Sequence, residues 1–204
     1  AWRELLDNRK LLESQYELLA GSWPENFNEV VLVVDSANEI DEVTLVALGV
    51  RDVEDYMAAV RGESTDLPEP AELTYEDILA IYFSLVMQPD YFVVDTESGL
   101  WTDKSDDEEH IKTLVDNGVE IKITGILRPN ENSVATASSD SFIGYLKSLP
   151  EYVITETGKR EIVKKQLADP LTDVFINLPF EQTQTAEDSR PTEESTTAAP
   201  TAAG

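Results

Sequence analysis

Cysteine is absent from this sequence of 204 residues, and histidine occurs once. The first absence excludes disulfides, thiolate metal sites and thiol chemistry. It does not fix a compartment, because many secreted proteins lack disulfides. No N-x-Ser/Thr acceptor occurs. The longest purely apolar run, Ile78 to Phe83, is far shorter than the roughly 20 residues needed to cross a bilayer as a helix. No signal-peptide pattern opens the chain, so the segment reads as soluble, with any membrane anchor lying outside it. Bases are scarce as well: 15 Lys and Arg stand against 41 Asp and Glu, a formal net charge of −26. That field repels a phosphate backbone and argues against nucleic-acid binding. By the same logic it disfavours docking on an anionic lipid surface. Strong catalytic motifs are missing too: no Walker loop, G-x-G-x-x-G, G-x-S-x-G or H-E-x-x-H is found.

Hydrophobic residues make up 41% of the chain, enough for a core at this length. The composition changes after Phe180: residues 181–204 hold no Leu, Ile, Val or aromatic and are rich in Thr, Ala, Pro and Glu. Such a segment cannot bury enough surface to offset its ordering entropy, so the expectation is one folded domain, 1–180, and a disordered linker, 181–204. The tail carries five acids and one Arg, so residues 1–180 keep a net charge of −22.

Within the domain, Trp2, Leu5, Leu12, Tyr16 and Leu19 recur at helical spacing and predict one helix up to Ala20, with Gly21 as its C-terminal cap and Pro24 beyond. Five consecutive apolar residues within Glu29–Asp35 predict a strand buried on both faces. Asp41 is placed to cap a helix, with Ile40 and Leu45 as a staple and Gly49 as its end. A short helix over about Asp52–Arg61 follows, then a polar loop over 63–73. Thr74 caps the next helix, and Leu79–Met87 is ambiguous between helix and strand. Tyr91–Asp95 and Leu100–Thr102 flank a four-residue hairpin connection. Ser105 with Glu108 suggests a capping box, and Asn117-Gly118 ends that helix. Val119–Leu127 and Phe142–Leu146 read as strands, separated by a Ser/Asn/Ala loop over 131–141. Helices starting at Pro150 and near Lys159 complete the domain. Helices and strands without a strict βαβ rhythm predict an α+β fold.

Three groups of residues invite chemistry. Asp103, Ser105 and Asp107 alternate as calcium ligands do, but Glu108 stands where an EF-hand needs Gly and Leu114 where it needs Glu. Acids crowding the first turn of a helix, where the macrodipole favours them, explain the run better. His110, in that same helix, reads as an ordinary surface residue. Trp2, Trp23, Trp101, Tyr91 and Phe92 would serve as a sugar platform only if gathered, and each lies in an apolar segment that predicts core packing instead. The sequence offers no catalytic, metal or cofactor-binding residue.

LLESQYELLAGSWPEN at 11–26 runs into EVVLVVD at 29–35. Further on come WTDKSDDEEHIKTLVDNGVEIKITGILRPNE at 101–131, IGYLKSLPEYVI at 143–154 and EIVKKQLADPLTDVFINLPF at 161–180. These stretches resemble the extracellular domain of FtsX-like (MacB-type) ABC export permeases of Gram-positive bacteria. The matching signatures are Gly21-Ser22-Trp23-Pro24, Glu29-Val30-Val31 and Thr124-Gly125-Ile126, the last departing from the pattern by having Ile123 where Val is usual. The resemblance implies a mixed sheet with packed helices, placed between two membrane helices on the outer face of the cell membrane. It implies a non-catalytic role, with the membrane helices and ATPase domain of the same transporter as partners, an extracellular peptide, lipid or drug as cargo, and a dimer of the full transporter. Both ends of the domain, the first helix with Leu11 and the chain leaving Phe180, are then expected on one side of it, and a placement at opposite poles would count against insertion between adjacent membrane helices. A surface-binding domain for carbohydrate or protein, on a Thr/Pro-rich stalk, is the alternative reading.

Overall fold

The computed structural model describes residues 1–63, 72–131, 133 and 140–180. The linker expected over 181–204 and most of the loop expected over 131–141 lie outside the described residues, as does most of 63–73. The fold is α+β, with a mixed sheet, as the composition of elements predicts.

At its centre is β3 (Glu29–Val33). It lies between β7 (Val119–Pro129), to which it is parallel, and β8 (Phe142–Tyr145), to which it is antiparallel. Val30, Val31, Leu32 and Val33 are all buried, so the five-residue apolar run has packing partners on both faces. Outside β8 runs β1 (Trp2–Glu4), parallel to it. The far edge of β7 is shared by two antiparallel strands end to end: β4 (Tyr82–Leu85) pairs with Val119–Lys122, and β2 (Tyr16–Gly21) with Gly125–Pro129.

One face of the sheet presents Val30, Leu32, Ile121, Ile123, Ile126 and Ile143 to Leu48 and Ile78. Leu48 is the C-cap of α2 (Glu42–Ala47), and Ile78 belongs to α4 (Tyr75–Leu79). The other face presents Val31, Val33, Leu127 and Phe142 to Leu5 and Leu12, the latter on α1 (Arg9–Gln15). In β7, Ile121 and Ile123 face the first layer, and so does Ile126, although strict alternation would turn it away. The phase changes because Thr124 is an extra residue: Val30 pairs with Ile123 but Val31 with Gly125. This β-bulge lets one strand supply both layers.

The single helix expected over the first twenty residues is replaced by β1, α1 and β2. Asn8 caps α1, its Oδ1 accepting from Leu11 N at 3.1 Å, and Leu5 and Leu12 keep the shared buried face that the spacing implied. At Tyr16 the backbone becomes extended (φ −129, ψ 146), because the exposed edge of β7 takes up the next six residues. Arg128 and Glu17 fix the register with a 2.7 Å ion pair. Edge pairing here overrides helical spacing.

The remaining elements follow the sequence more closely. Asp41 caps α2, Asp52 caps α3 (Val53–Val60), and Thr74 and Asp77 form a capping box on α4. The ambiguous stretch 79–87 divides between the end of α4 and β4. The expected hairpin is β5 (Phe92–Val94) with β6 (Trp101–Asp103). The cap of α5 (Glu108–Asp116) is Asp107 rather than Ser105: its carboxylate, unlike the serine hydroxyl, accepts from His110 N. Pro150 is the third residue, not the first, of α6 (Ser148–Thr157). After α7 (Glu161–Ala168) comes a small ribbon that periodicity does not announce, β9 (Thr172–Asp173) with β10 (Leu178–Pro179).

The topology separates the two ends of the chain. Ala1 accepts a hydrogen bond from Ile143 N where β3 and β7 finish. α6, α7 and the ribbon gather where those strands begin, tied there by Phe27 stacked on Tyr152 at 4.0 Å and by Arg160 on Asp90. The expectation that both ends share one side is therefore not met by Ala1 and Phe180.

Candidate functional site

Each end of the sheet carries a concavity. Where β3 and β7 finish, Asp41 and Ser141 join α2 to β8. Ser141 Oγ donates to Asp41 Oδ2 at 2.6 Å and accepts from Asp41 N at 2.9 Å, while Ser141 N donates to the same carboxylate at 2.9 Å. Thr44 adds its backbone N–H at 2.8 Å and its hydroxyl at 3.2 Å. Burial by itself would raise the Asp41 pKa, but the hydrogen bonds from Ser141 and Thr44 outweigh it and hold the carboxyl below its ordinary value. The pairing of Ser with Asp suggests a nucleophile only superficially. Among the described residues no imidazole stands beside Ser141: His110 is at the other end of the sheet, and the Ser141 hydroxyl donates to the Asp41 carboxylate, which the contacts above hold ionised. The cluster is a tie between two elements.

At the opposite end is an apolar groove of about 280 Å³, lined by Pro89 and Phe92 on one side and by Ile162, Val163, Leu167 and Phe175 on the other. Pro89 lies in the 3-10 turn Gln88–Tyr91, whose fixed position depends on charge. Arg160 donates Nε to Asp90 Oδ1 at 2.7 Å and Nη2 to Asp90 Oδ2 at 2.9 Å, a bidentate pair. Its own pKa is raised, chiefly by the hydrogen bond to Asp90. His110 Nε2 donates to the Asp90 carbonyl at 3.0 Å. His110 is thus half-buried and holds the groove's rim, correcting its reading as an ordinary surface residue. Phe92 meets Phe175 edge-on at 5.0 Å, closing hairpin against ribbon. Gln166 anchors the ribbon: Oε1 accepts from Val174 N, and Nε2 donates to the carbonyls of Asp169 and Thr172.

The acidic run at 103–109 serves the backbone. Asp103 accepts from Ser105 N at 2.8 Å and Asp107 from His110 N at 3.1 Å, and these contacts lower both carboxyl pKa values. Among the described residues no group of three or more His, Asp or Glu is arranged to hold a metal ion. Trp2, Trp23 and Phe92 do not share a platform, and Trp2, 41% exposed, is not the core residue its segment predicts. Trp2 packs on Phe83 and Tyr145, Trp23 lies under Arg9 at 4.7 Å, and Phe92 faces Phe175. The groove was not legible in the sequence because its wall joins residues 88–92, α7 and the ribbon loop at Val174 and Phe175, which are distant in the chain.

The three signatures that carry the family resemblance do meet. Gly21 pairs with Gly125, and Val31 pairs with Gly125 from the other side. Ser22 N donates to Thr124 O at 2.7 Å. A Cβ on Gly21 would lie 2.1 Å from Thr124 O, and one on Gly125 2.2 Å from Ser22 O, so both positions require glycine. Beyond the crossing, Pro24 is buried, and Glu29 folds back to accept from Glu25 N at 2.7 Å and from the Asn26 side chain at 2.8 Å. Asn26, first among these contacts, lowers the Glu29 pKa. Comparison with models of protein families, with curated proteins and with solved structures finds no match to this chain.

Proposed function

We propose that this chain is a non-catalytic extracellular module of an FtsX-like (MacB-type) export permease, coupling movement of membrane helices to an extracellular peptide, lipid or drug. One observation carries the reading. The stretches at 21–24, 29–31 and 124–126, far apart in sequence, lie on or beside the adjacent strands β2, β3 and β7 at the bulge of the central sheet. Signatures that resemble a family's and also satisfy one steric constraint are better support than three scattered matches. On this reading the contacts of Asp41 with Ser141 and Thr44 tie α2 to β8 and need perform no chemistry. No helix of the described residues is long and apolar enough to cross a membrane, so on this reading the spans belong to other parts of the transporter.

The separation of Ala1 from Phe180 counts against insertion of the module between adjacent membrane helices. Chain following Phe180 must return along the domain if the module is inserted between two membrane helices. Residues 181–204 could reach about 80 Å if fully extended, longer than a domain of this size is wide.

The test is made in the intact transporter. Removing residues 1–180 should abolish export while leaving basal ATP hydrolysis measurable. Export that persists after the deletion would sink the proposal and leave the surface-binding reading in its place.

A further inference from the structure

Asn117 is the one asparagine of the chain that glycine follows. With no side chain on residue 118, the Gly118 nitrogen is open to approach by the Asn117 side chain, which is the local requirement for an asparagine to close into a succinimide. The fold calls for both residues. A Cβ at 118 would overlap Ser84 Oγ and lie 3.1 Å from Leu85 O, on the strand that pairs with Val119 and Glu120. Asn117 is the C-cap of α5: its backbone N–H and its Nδ2 both donate to Thr113 O, at 3.2 and 2.8 Å. These contacts satisfy a carbonyl that the end of a helix leaves unpaired. Gly118 N donates to Val115 O at 3.2 Å, and Ser84 Oγ donates to the same carbonyl. A labile pair of residues is thus built into a corner that restrains it. The side chain that must swing forward to reach Gly118 N is turned back along the helix to Thr113. Asn117 is exposed and Gly118 half-buried, so water reaches the corner when it opens.

We infer that Asn117 is a site of spontaneous deamidation whose rate is set by opening of the corner where α5 meets β4 and β7. Opening breaks the hydrogen bonds of Asn117 Nδ2 to Thr113 O, of Gly118 N to Val115 O and of Ser84 Oγ to Val115 O. The Gly118 N–H then gives its proton to hydroxide, and the nitrogen attacks Asn117 Cγ. The Cγ–Nδ2 bond breaks, Nδ2 leaves as ammonia after taking a proton from water, and a five-membered imide closes. Water adds to one of the two ring carbonyls and opens the ring to aspartate or isoaspartate at position 117. Isoaspartate routes the main chain through Cβ and Cγ, adding one methylene between α5 and β7. Either product sets a carboxylate at the C-terminal end of α5, where the macrodipole disfavours it, and removes the Nδ2 donor to Thr113 O. The reaction therefore loosens the corner whose opening permits it.

This inference does not rest on the permease reading. It is tested by incubating the 204-residue chain at mildly alkaline pH, folded and in concentrated urea, and following Asn117 by peptide mapping. The signal is the mass gained when an amide becomes an acid. Asn117 should convert in the folded chain, about ten-fold or more slowly than in urea, because only the locally open fraction reacts. Ser84→Ala removes one restraint and should speed conversion of the folded chain about five-fold, the effect of one hydrogen bond, while leaving the rate in urea unchanged. Hydrogen exchange at the Gly118 amide needs no substitution, and in the parent chain it should be slowed by a factor similar to that for conversion. A folded chain in which Asn117 stays unreacted while the unfolded chain converts completely would overturn the inference. Equal rates in the two states, a Ser84→Ala rate equal to the parent's, or an unprotected Gly118 amide would do the same.

Discussion

The central sheet and the segment 159–180 use similar apolar residues in opposite ways. In β3 every apolar side chain is buried and both neighbours are strands, so the backbone is satisfied and the surface removed from water. In α7 and its ribbon only Ile162 and Val174 are buried, while Leu167, Leu171 and Ile176 face outward. The segment is held by directed contacts instead: the Arg160–Asp90 pair, Gln166 to three backbone groups, and Phe92 on Phe175. Apolar surface thus stabilises one region and leaves the other with a surface available for contact.

Substitution in the sheet gives the sharpest break in this comparison. Val33→Asp places an unpaired carboxylate at a position 1% exposed, between Leu127 and Phe142, and should cost about 4 kcal/mol or more. Denaturant unfolding measures this, and a midpoint close to the parent's would show that β3 is not central.

Gly125→Ala should cost about 2–3 kcal/mol, through the clash of one methyl with the Ser22 carbonyl at the bulge. Unfolding in urea should show the loss, and a neutral result would mean that the chain at Ser22 yields where it meets β7.

The tie at the other end of the sheet is weaker and depends on pH. Asp41→Ala should cost about 1–2 kcal/mol near neutrality, the range of a lost N-cap. Because the folded-state pKa of Asp41 lies below the ordinary 3.8, its stabilising contribution is complete above that value and is lost as pH falls through the lower folded value. Thermal melts of parent and variant should therefore converge on acidification from neutrality to below pH 3.8. A gap that is constant over that range would mean that the carboxylate charge plays no part. Least of all should be felt at the far end, where Leu167 and Leu171 are already in water and their replacement changes stability by less than about 0.5 kcal/mol.

Capping and short-range patterns were legible because they are settled within a few residues. Asp41 and Thr74 cap as read, Gly49 and Gly62 take positive φ after their helices, and Val30–Val33 alone specify a strand buried on both faces. Asp103–Glu109 was legible as a helix start, with the cap displaced to Asp107. By contrast, neither concavity was legible, because each joins residues distant in the chain: Asp41 with Ser141, and Pro89 with Phe175. The first twenty residues illustrate the limit. Leu5 and Leu12 carry a helical spacing that the structure honours only in part, since β7 offers Tyr16–Gly21 an unpaired edge that no local pattern reveals. What the sequence by itself determined was composition, caps and the central strand, all governed by nearest-neighbour sterics, hydrogen bonding and burial. The tertiary structure decided the bulge at Thr124, the division of β7 between two layers and the joining of Pro89 to Phe175 across the groove, because each depends on which strands and helices come to lie side by side.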